Sequence, residues 1–443
     1  MGSVRALLSV MMFLQYFVWG AWAVELGTYM GKVLEFSGSQ VGWVYSSTAI
    51  AAMISPLFLG YVADRLMSTE KVLALLHLIG AGLLTAAAIL PTSEAANSVR
   101  GANSVDSSFY VLFAIMVAYS LCYMPTLALT NSISFDNILD PEKDFPIIRV
   151  FGTFGWIVAG LVVGFLLKAA PDSVIGEALY SVVPASHPLF VANNFILLAA
   201  IASAVLGLYC FLLPHTPPKQ KNQDAAANVE QNRSRAGILS LLSEPSFLVF
   251  VLASFLICIP LAFYYNLANL FLSETKAPYP TALQALGQGS EVLFMALMPW
   301  FIMKLGVKKM LAIGMLAWVL RYLAFGTLYF PLVVFGIVLH GICYDFFFVA
   351  SQIYIDTKVD VSQRARAQSF IAFVTLGVGM FVGALVAGQT YDAYAPEIKD
   401  GVADWFYIWL WPAIAAGATL AFFWIGFRDR AVGRDRDTSR PAR

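Results

Sequence analysis

Charge is what this sequence has least of. Only 12% of its 443 residues are Asp, Glu, Lys or Arg, against 59% hydrophobic. With a mean hydropathy of +0.74, that balance excludes an ordinary soluble protein of this length and marks a polytopic membrane protein. The formal net charge is zero, so there is no electrostatic footprint for nucleic acid and none is expected as a partner. Cysteine is scarce too. Cys122, Cys210, Cys258 and Cys343 fall within apolar stretches, with neither metal-ligand spacing nor a disulfide framework. There is no paired-histidine zinc motif, nucleophile elbow or phosphate-cradling glycine loop, so neither an enzyme, a cofactor nor a metal is expected. The first 27 residues lack a small-residue cleavage site and are too long and aromatic for a signal-peptide core. They are expected to remain as a first span.

What is present is one apolar run after another. Twelve reach spanning length, near 6–27, 39–63, 70–91, 108–132, 146–169, 188–213, 245–272, 281–303, 308–329, 331–355, 366–389 and 404–426. Each is close to the roughly 20 residues that a helix needs to cross hydrocarbon. We number them spans 1 to 12. The longest polar stretch, His215–Gly237, reads as a flexible linker. It predicts an all-α membrane protein of twelve transmembrane helices in two six-helix bundles, residues 1–214 and 241–427, with a cytoplasmic linker at 215–240 and a basic tail at 428–443. With the N-terminus inside, 20 of the 27 Lys and Arg residues fall on the inner segments and five on the outer ones, while Arg149 and Arg321 lie within spans. That asymmetry predicts both termini in the cytoplasm.

The few polar residues inside spans carry the functional argument. A charge near the bilayer centre costs about 2.5–3.5 kcal/mol on insertion scales and so is expected to face a partner or a wet cavity. Arg149, Thr153 and Trp156 stand at i, i+4 and i+7 and share one helix face. Arg149 is also only three residues past Pro146, so a snorkelling position at the helix end is the other reading. The remaining intramembrane charges favour the cavity. Gln288 and Glu291 share a face as i and i+3; an amide beside an acid suits hydrogen bonding to a hydroxylated solute, proton carriage, or a structural bond between helices. His340 and Tyr344 share a face at i and i+4, with Asp345 turned about 100° from Tyr344. A buried carboxylate among phenylalanines is too costly for packing alone. Asp345 is therefore expected to act in proton coupling, with pairing to a cation such as Arg321 as the alternative. His340 is expected to be a pocket residue or a satisfied core histidine. Glu25 reads as interfacial at the outer end of span 1, with an outer gate as the alternative. Arg321 reads as structural and paired. Tyr119 and Tyr123 are candidates to line a cavity, and Pro260 is expected to kink span 7 and expose local carbonyls.

Two six-span halves around a cytoplasmic linker resemble the major facilitator superfamily, whose halves rock about a midplane site. Gly60-Tyr61-Val62-Ala63-Asp64-Arg65 after span 2 is similar to its G-x-x-x-D-R/K loop motif. The implied role of Gly60, Asp64 and Arg65 is a conformational latch. Several runs are similar to the bacterial nucleoside permeases, the nucleoside:proton symporter family. They are Phe13-Leu14-Gln15, Trp19-Gly20, Val44-Tyr45-Ser46-Ser47, Tyr123-Met124-Pro125-Thr126-Leu127, Asp144-Phe145-Pro146, Ile148-Arg149, Gly152-Thr153, Ser290-Glu291, Ala317-Trp318, Leu320-Arg321 and Asp345-Phe346-Phe347. The resemblance implies a monomeric carrier in the bilayer of the bacterial inner membrane that imports nucleosides with protons by alternating access. Its binding positions fall on Arg149, Thr153, Gln288, Glu291 and Asp345, with aromatic packing at Trp156 and Tyr344. The chain departs from the pattern in having Trp156 and Tyr344 where better-known members have phenylalanine, and His340 in place of a tyrosine. Ala262 and Tyr265 replace two amides in span 7, with Asn266 as the neighbouring amide. Those lost amides leave a carrier for a sugar or glycoside-like solute as the alternative, and a transporter-like sensor or a membrane enzyme as remote ones.

Overall fold

The computed structural model describes residues 2–65, 67–90, 104–167, 193–217, 241–359, 364–395 and 403–428. Among them every regular element is helical. That is the expected outcome in hydrocarbon, where a helix satisfies its own backbone hydrogen bonds. Ten helices are long and apolar enough to cross a membrane. Pro280–Gly326 runs for 47 residues, about 70 Å at 1.5 Å per residue and far too long for one crossing. It is spans 8 and 9, meeting at Gly306, whose φ of 70° is left-handed and breaks the helical path. Gly38–Arg65 adds span 2, which completes the twelve.

The other spans are Thr69–Ala88, Ser104–Asn137, Pro141–Leu161, Asn194–Tyr209, Pro245–Glu274 and Trp405–Gly426 for spans 3 to 7 and 12. Several spans depart from the simple helices expected, and span 5 ends in a π segment, Val162–Leu167. Span 1 breaks between Gly2–Ala23 and Leu26–Lys32. Span 10 runs through Phe330–Val338 and His340–Tyr344, then a π-helical turn at Asp345–Val349, before Ala350–Lys358. Span 11 has a similar π segment, Phe373–Gly379, between Arg364–Ala372 and Met380–Tyr394. Such wider turns recur at functional positions because they redirect side chains. Span 7 is continuous through Pro260. The Tyr322 hydroxyl donates to the Pro260 carbonyl, so that carbonyl is satisfied in the core.

The apolar cores separate into two bundles. One side packs Leu8, Met11 and Met12 with Leu129, Ile148 and Leu206, and Trp22 and Tyr29 with Tyr119 and Phe195. The other packs Phe250, Phe271, Trp318, Phe347, Trp405 and Trp409. The hydrogen bonds between described residues that join the bundles cluster at the side away from the termini, the far side. There Thr28 meets Asn269, Lys32 meets Ser273, and Gly38 and Ser39 meet Asp392. The expected loop latch falls in the last turns of span 2, but the side chains of Gly60, Asp64 and Arg65 lie outside the described residues, as do 218–240 of the linker and 429–443 of the tail.

Candidate functional site

Along span 5, Arg149, Thr153 and Trp156 are each half-buried. Gly152 and Gly155 between them lie against Tyr16 and the Phe13 carbonyl of span 1. The helix start is fixed by Asp140, whose side chain accepts from the Lys143 amide at 3.3 Å, and by Pro141 in the first turn. The Arg149 guanidinium lies over the Tyr16 ring, 4.3 Å from its centroid, a contact worth about 0.5–2 kcal/mol depending on desolvation. Trp156 stands edge-on to Trp19 at 5.4 Å, and Trp19 touches Tyr16 and Tyr123. Arg149 has no ion pair among the described residues. Its Nη1 lies beside Gly152, against span 1, and Glu291 is the anion of the opposite bundle that interacts with it through space.

Span 8 presents Gln288, 8% exposed, and half-buried Glu291. Their height is set by span 10. A Cβ on Gly341 would lie 2.5–2.6 Å from backbone atoms of Ser290 and Glu291, so only glycine permits this approach. The Gly341 amide donates to the Ser290 hydroxyl at 2.9 Å. Tyr344, half-buried, lies in the field of Glu291, Arg149 and Asp345. Tyr265 of span 7 shares that of Tyr344 and Glu291. Arg149 of one bundle is thus within electrostatic reach of Glu291 and Tyr344 of the other, and Tyr265 is within reach of the same two. The side chains of Thr153, Gln288 and Glu291 form no hydrogen bond with another described residue. The arrangement offers a cation, an anion, an amide, hydroxyls and aromatic edges to a flat, hydroxylated solute.

Asp345 is fully buried at the start of its π turn. Neither carboxyl oxygen has a partner among the described residues, and Glu291 is the acid within its field. Its alternative pairing with Arg321 is not formed. Arg321, also fully buried, donates from Nη1 to His340 Nδ1 at 2.9 Å. Its guanidinium lies 3.5 Å from the Tyr264 centroid, with Trp318 and Phe325 at 5.3 and 5.5 Å. Arginine has only donors, so His340 must accept at Nδ1 and carry its proton on Nε2. One ring nitrogen of His340 thus serves the core, and the Nε2–H is its remaining donor.

Several expected positions turn out differently. Ala262 is buried against Gly383 of span 11, and the Asn266 amide donates to the Ala384 carbonyl at 3.4 Å; neither belongs to the central cluster. Tyr119 and Tyr123 are core residues, 1% and 3% exposed. Tyr119 accepts from the Trp22 indole and Tyr123 donates to the Gln15 carbonyl. Glu25 is not interfacial. It is 8% exposed and accepts a hydrogen bond from Thr281 of the other bundle. The helix break at Glu25 turns the side chain inward, which a straight-helix reading misses. Nothing in the sequence singles out Tyr16, which lies under Arg149, and Tyr265 stands out there only as the replacement of a span 7 amide.

A family model described as nucleoside H+ symporter matches residues 2–431. The putative nucleoside transporter YegT of Escherichia coli (strain K12) is 38% identical over 96% of this chain and 94% of its own. The xanthosine permease of the same organism is 32% identical over 96% of both chains. A crystal structure of the nucleoside transporter NupG superposes with a TM-score of 0.78 at 28% identity, covering 96% of this chain and 99% of that one. On the match across nearly its whole length, the chain belongs to the nucleoside H+ symporter family.

Proposed function

We propose that the protein is a proton-coupled nucleoside importer of the bacterial inner membrane, working by alternating access. The observation that carries this reading is a half-buried arginine, Arg149, seated on Tyr16 in one bundle and a half-buried acid, Glu291, in the other, neither of them in an ion pair among the described residues. A nucleoside offers hydroxyls to the acid and amide and a flat ring to Trp156 and Tyr344. Residues 1–214 and 241–427 are the two moving bodies, joined by the 215–240 linker, with the 428–443 tail and both termini cytoplasmic, and one chain suffices. The far-side contacts described above support a state closed on that side. Arg149, Thr153, Trp156, Gln288, Glu291, Tyr344 and the Nε2–H of His340 bind the solute. Asp345 carries the proton, with Glu291 linking it to the ligand. Of the two span 7 tyrosines that could serve a sugar site, Tyr264 lies under Arg321 and against His340, while Tyr265 stays beside Glu291 and Tyr344. The test is uptake of labelled uridine or adenosine into proteoliposomes. Other nucleosides are expected to compete, whereas free bases and glucose compete poorly. Competition by glucose with none by nucleosides would overturn the reading.

A further inference from the structure

The far-side contact between the bundles is built from two carboxylates that the solute site does not use. The first is Glu25, the residue at the break in span 1. Its Oε2 accepts from the Thr281 hydroxyl in the first turn of span 8. Thr281 Oγ1 accepts from Asn269 Nδ2 at 3.0 Å, and Asn269 Oδ1 accepts from the Thr28 hydroxyl at 2.5 Å. The chain of bonds leaves span 1 at Thr28, crosses spans 7 and 8, and returns to span 1 at Glu25. It has one direction, since each hydroxyl has a single proton to give, and Glu25 is the acceptor on which it ends. Glu25, Thr28, Asn269 and Thr281 are all buried, at 3–9% exposure. The Tyr45 hydroxyl donates to the Ala23 carbonyl and accepts from the Gly27 amide, which holds the break that turns Glu25 inward.

The second carboxylate runs the other way. Asp392 near the end of span 11 accepts from the Gly38 amide at 2.5 Å, and from the Ser39 amide and hydroxyl at 2.8 and 2.5 Å. These are donors at the start of span 2, which a helix leaves unpaired and which favour an anion. An acid of the C-terminal bundle thus caps a helix of the N-terminal bundle, while an acid of the N-terminal bundle accepts from a helix start of the C-terminal one. Two other charged groups lie nearby, one bonded across the bundles and one within its own. Lys32 donates to Ser273 at 2.8 Å. Glu274 accepts from Tyr391 and Trp405 within its own bundle.

We propose that Glu25 and Asp392 are reciprocal latches that hold the far side of the transport path shut, and that release of both is the step that opens it there. The proposal rests on the alternating-access reading but not on the identity of the solute. The experiment reads geometry rather than uptake, so its failure is distinct from failure of the nucleoside assignment. Spin labels on cysteines replacing exposed Glu35 and Lys276 report the separation of the bundles on the far side by double electron–electron resonance. The parent protein is expected to give mainly one short distance. Glu25→Ala, Thr281→Val and Asp392→Ala should each add a longer component. Losing one hydrogen bond to a charged acceptor shifts such an equilibrium by about tenfold or more. Glu25→Ala with Thr281→Val should add little to the longer component beyond either alone, because they share the one bond between the bundles and the Asn269 bond that Thr281→Val also loses lies within the C-terminal bundle, whereas Glu25→Ala with Asp392→Ala should add further. Glu25→Gln keeps an acceptor oxygen for Thr281 and should restore part of the short distance, which a side chain serving only to fill space would not require. Should an alanine variant fail to fold, Glu25→Gln and Asp392→Asn carry the same comparison. Unchanged distances in the folded carboxylate variants, or additive effects of Glu25→Ala and Thr281→Val, would overturn the proposal.

Discussion

Replacing Asp345 with asparagine should separate transport from its coupling. The side chain keeps its shape and loses its ability to bind and release a proton. Asp345 is fully buried and neither carboxyl oxygen is hydrogen-bonded to a described residue. No such bond is lost, and the folding cost should stay within about 1 kcal/mol. The effect on coupling is large by comparison. One pH unit across the membrane is worth about 1.4 kcal/mol per proton, so a carrier moving one proton per solute sustains about tenfold accumulation. The substituted protein should lose that driving force, and the internal-to-external ratio should fall to about one. Binding and downhill exchange should survive. Glu291→Gln perturbs the other acid, which is half-buried and within the field of Arg149. Losing a charged hydrogen-bond acceptor there should weaken binding by about 10–100-fold. The assay is uptake into proteoliposomes with and without an imposed acid-outside gradient, beside equilibrium binding for both variants. If Asp345→Asn still accumulates solute about tenfold under that gradient, Asp345 is not the proton carrier.

Other outcomes follow from single contacts. Arg321→Ala removes a fully buried side chain and leaves His340 Nδ1 without its donor, so a loss of about 2–5 kcal/mol is expected. Arg321→Met, which refills the volume without a charge, should melt much closer to the parent in a detergent thermal scan. Gly341→Ala places a methyl against the Ser290 and Glu291 backbone; it should cost about 1–3 kcal/mol and weaken solute binding in the same titration, because Glu291 must move. Reporter fusions at Ala226 and after Arg443 should read cytoplasmic and one at Asn103 periplasmic, in keeping with the Lys and Arg asymmetry; a periplasmic signal at Ala226 would reverse the orientation.

The spans were legible because hydrocarbon imposes one rule on length and composition, and the 59% hydrophobic chain obeys it. The faces of spans 5 and 8 were legible because helical spacing places Arg149 with Thr153 and Gln288 with Glu291. What was not legible depended on departures from straight helices and on contacts between distant spans. Glu25 looked interfacial because a regular span 1 ends there; the break before Leu26 redirects it. His340 looked like either a pocket or a core residue, and its partner Arg321 is a neighbour only once spans 9 and 10 pack. The replaced amides in span 7 looked like losses from a binding wall. Packing divides them: Ala262 serves the contact with Gly383, and only Tyr265 reaches the central charges.

The polar groups that look least functional explain how two bundles could move as units. Within the N-terminal bundle, Gln15 of span 1 donates to Thr126 of span 4 at 2.7 Å, and His77 of span 3 links Gln15 to Ser203 of span 6. Within the C-terminal bundle, Tyr322 of span 9 bonds span 7, Arg321 bonds His340 of span 10, and Ser290 of span 8 bonds Gly341. Each network is buried and ties four spans of its own bundle. A broken bond there leaves a polar group unpaired in low dielectric, which is expensive. The interface between the bundles at the proposed solute site is different in kind. Among the described residues no side-chain hydrogen bond joins Arg149 or Thr153 to Gln288 or Glu291, so separating the bundles there breaks no such bond. Motion is therefore cheap between the bundles at that level and costly within each. Solute and proton then act on the one degree of freedom that both sites share, which is the condition for their free energies to be linked.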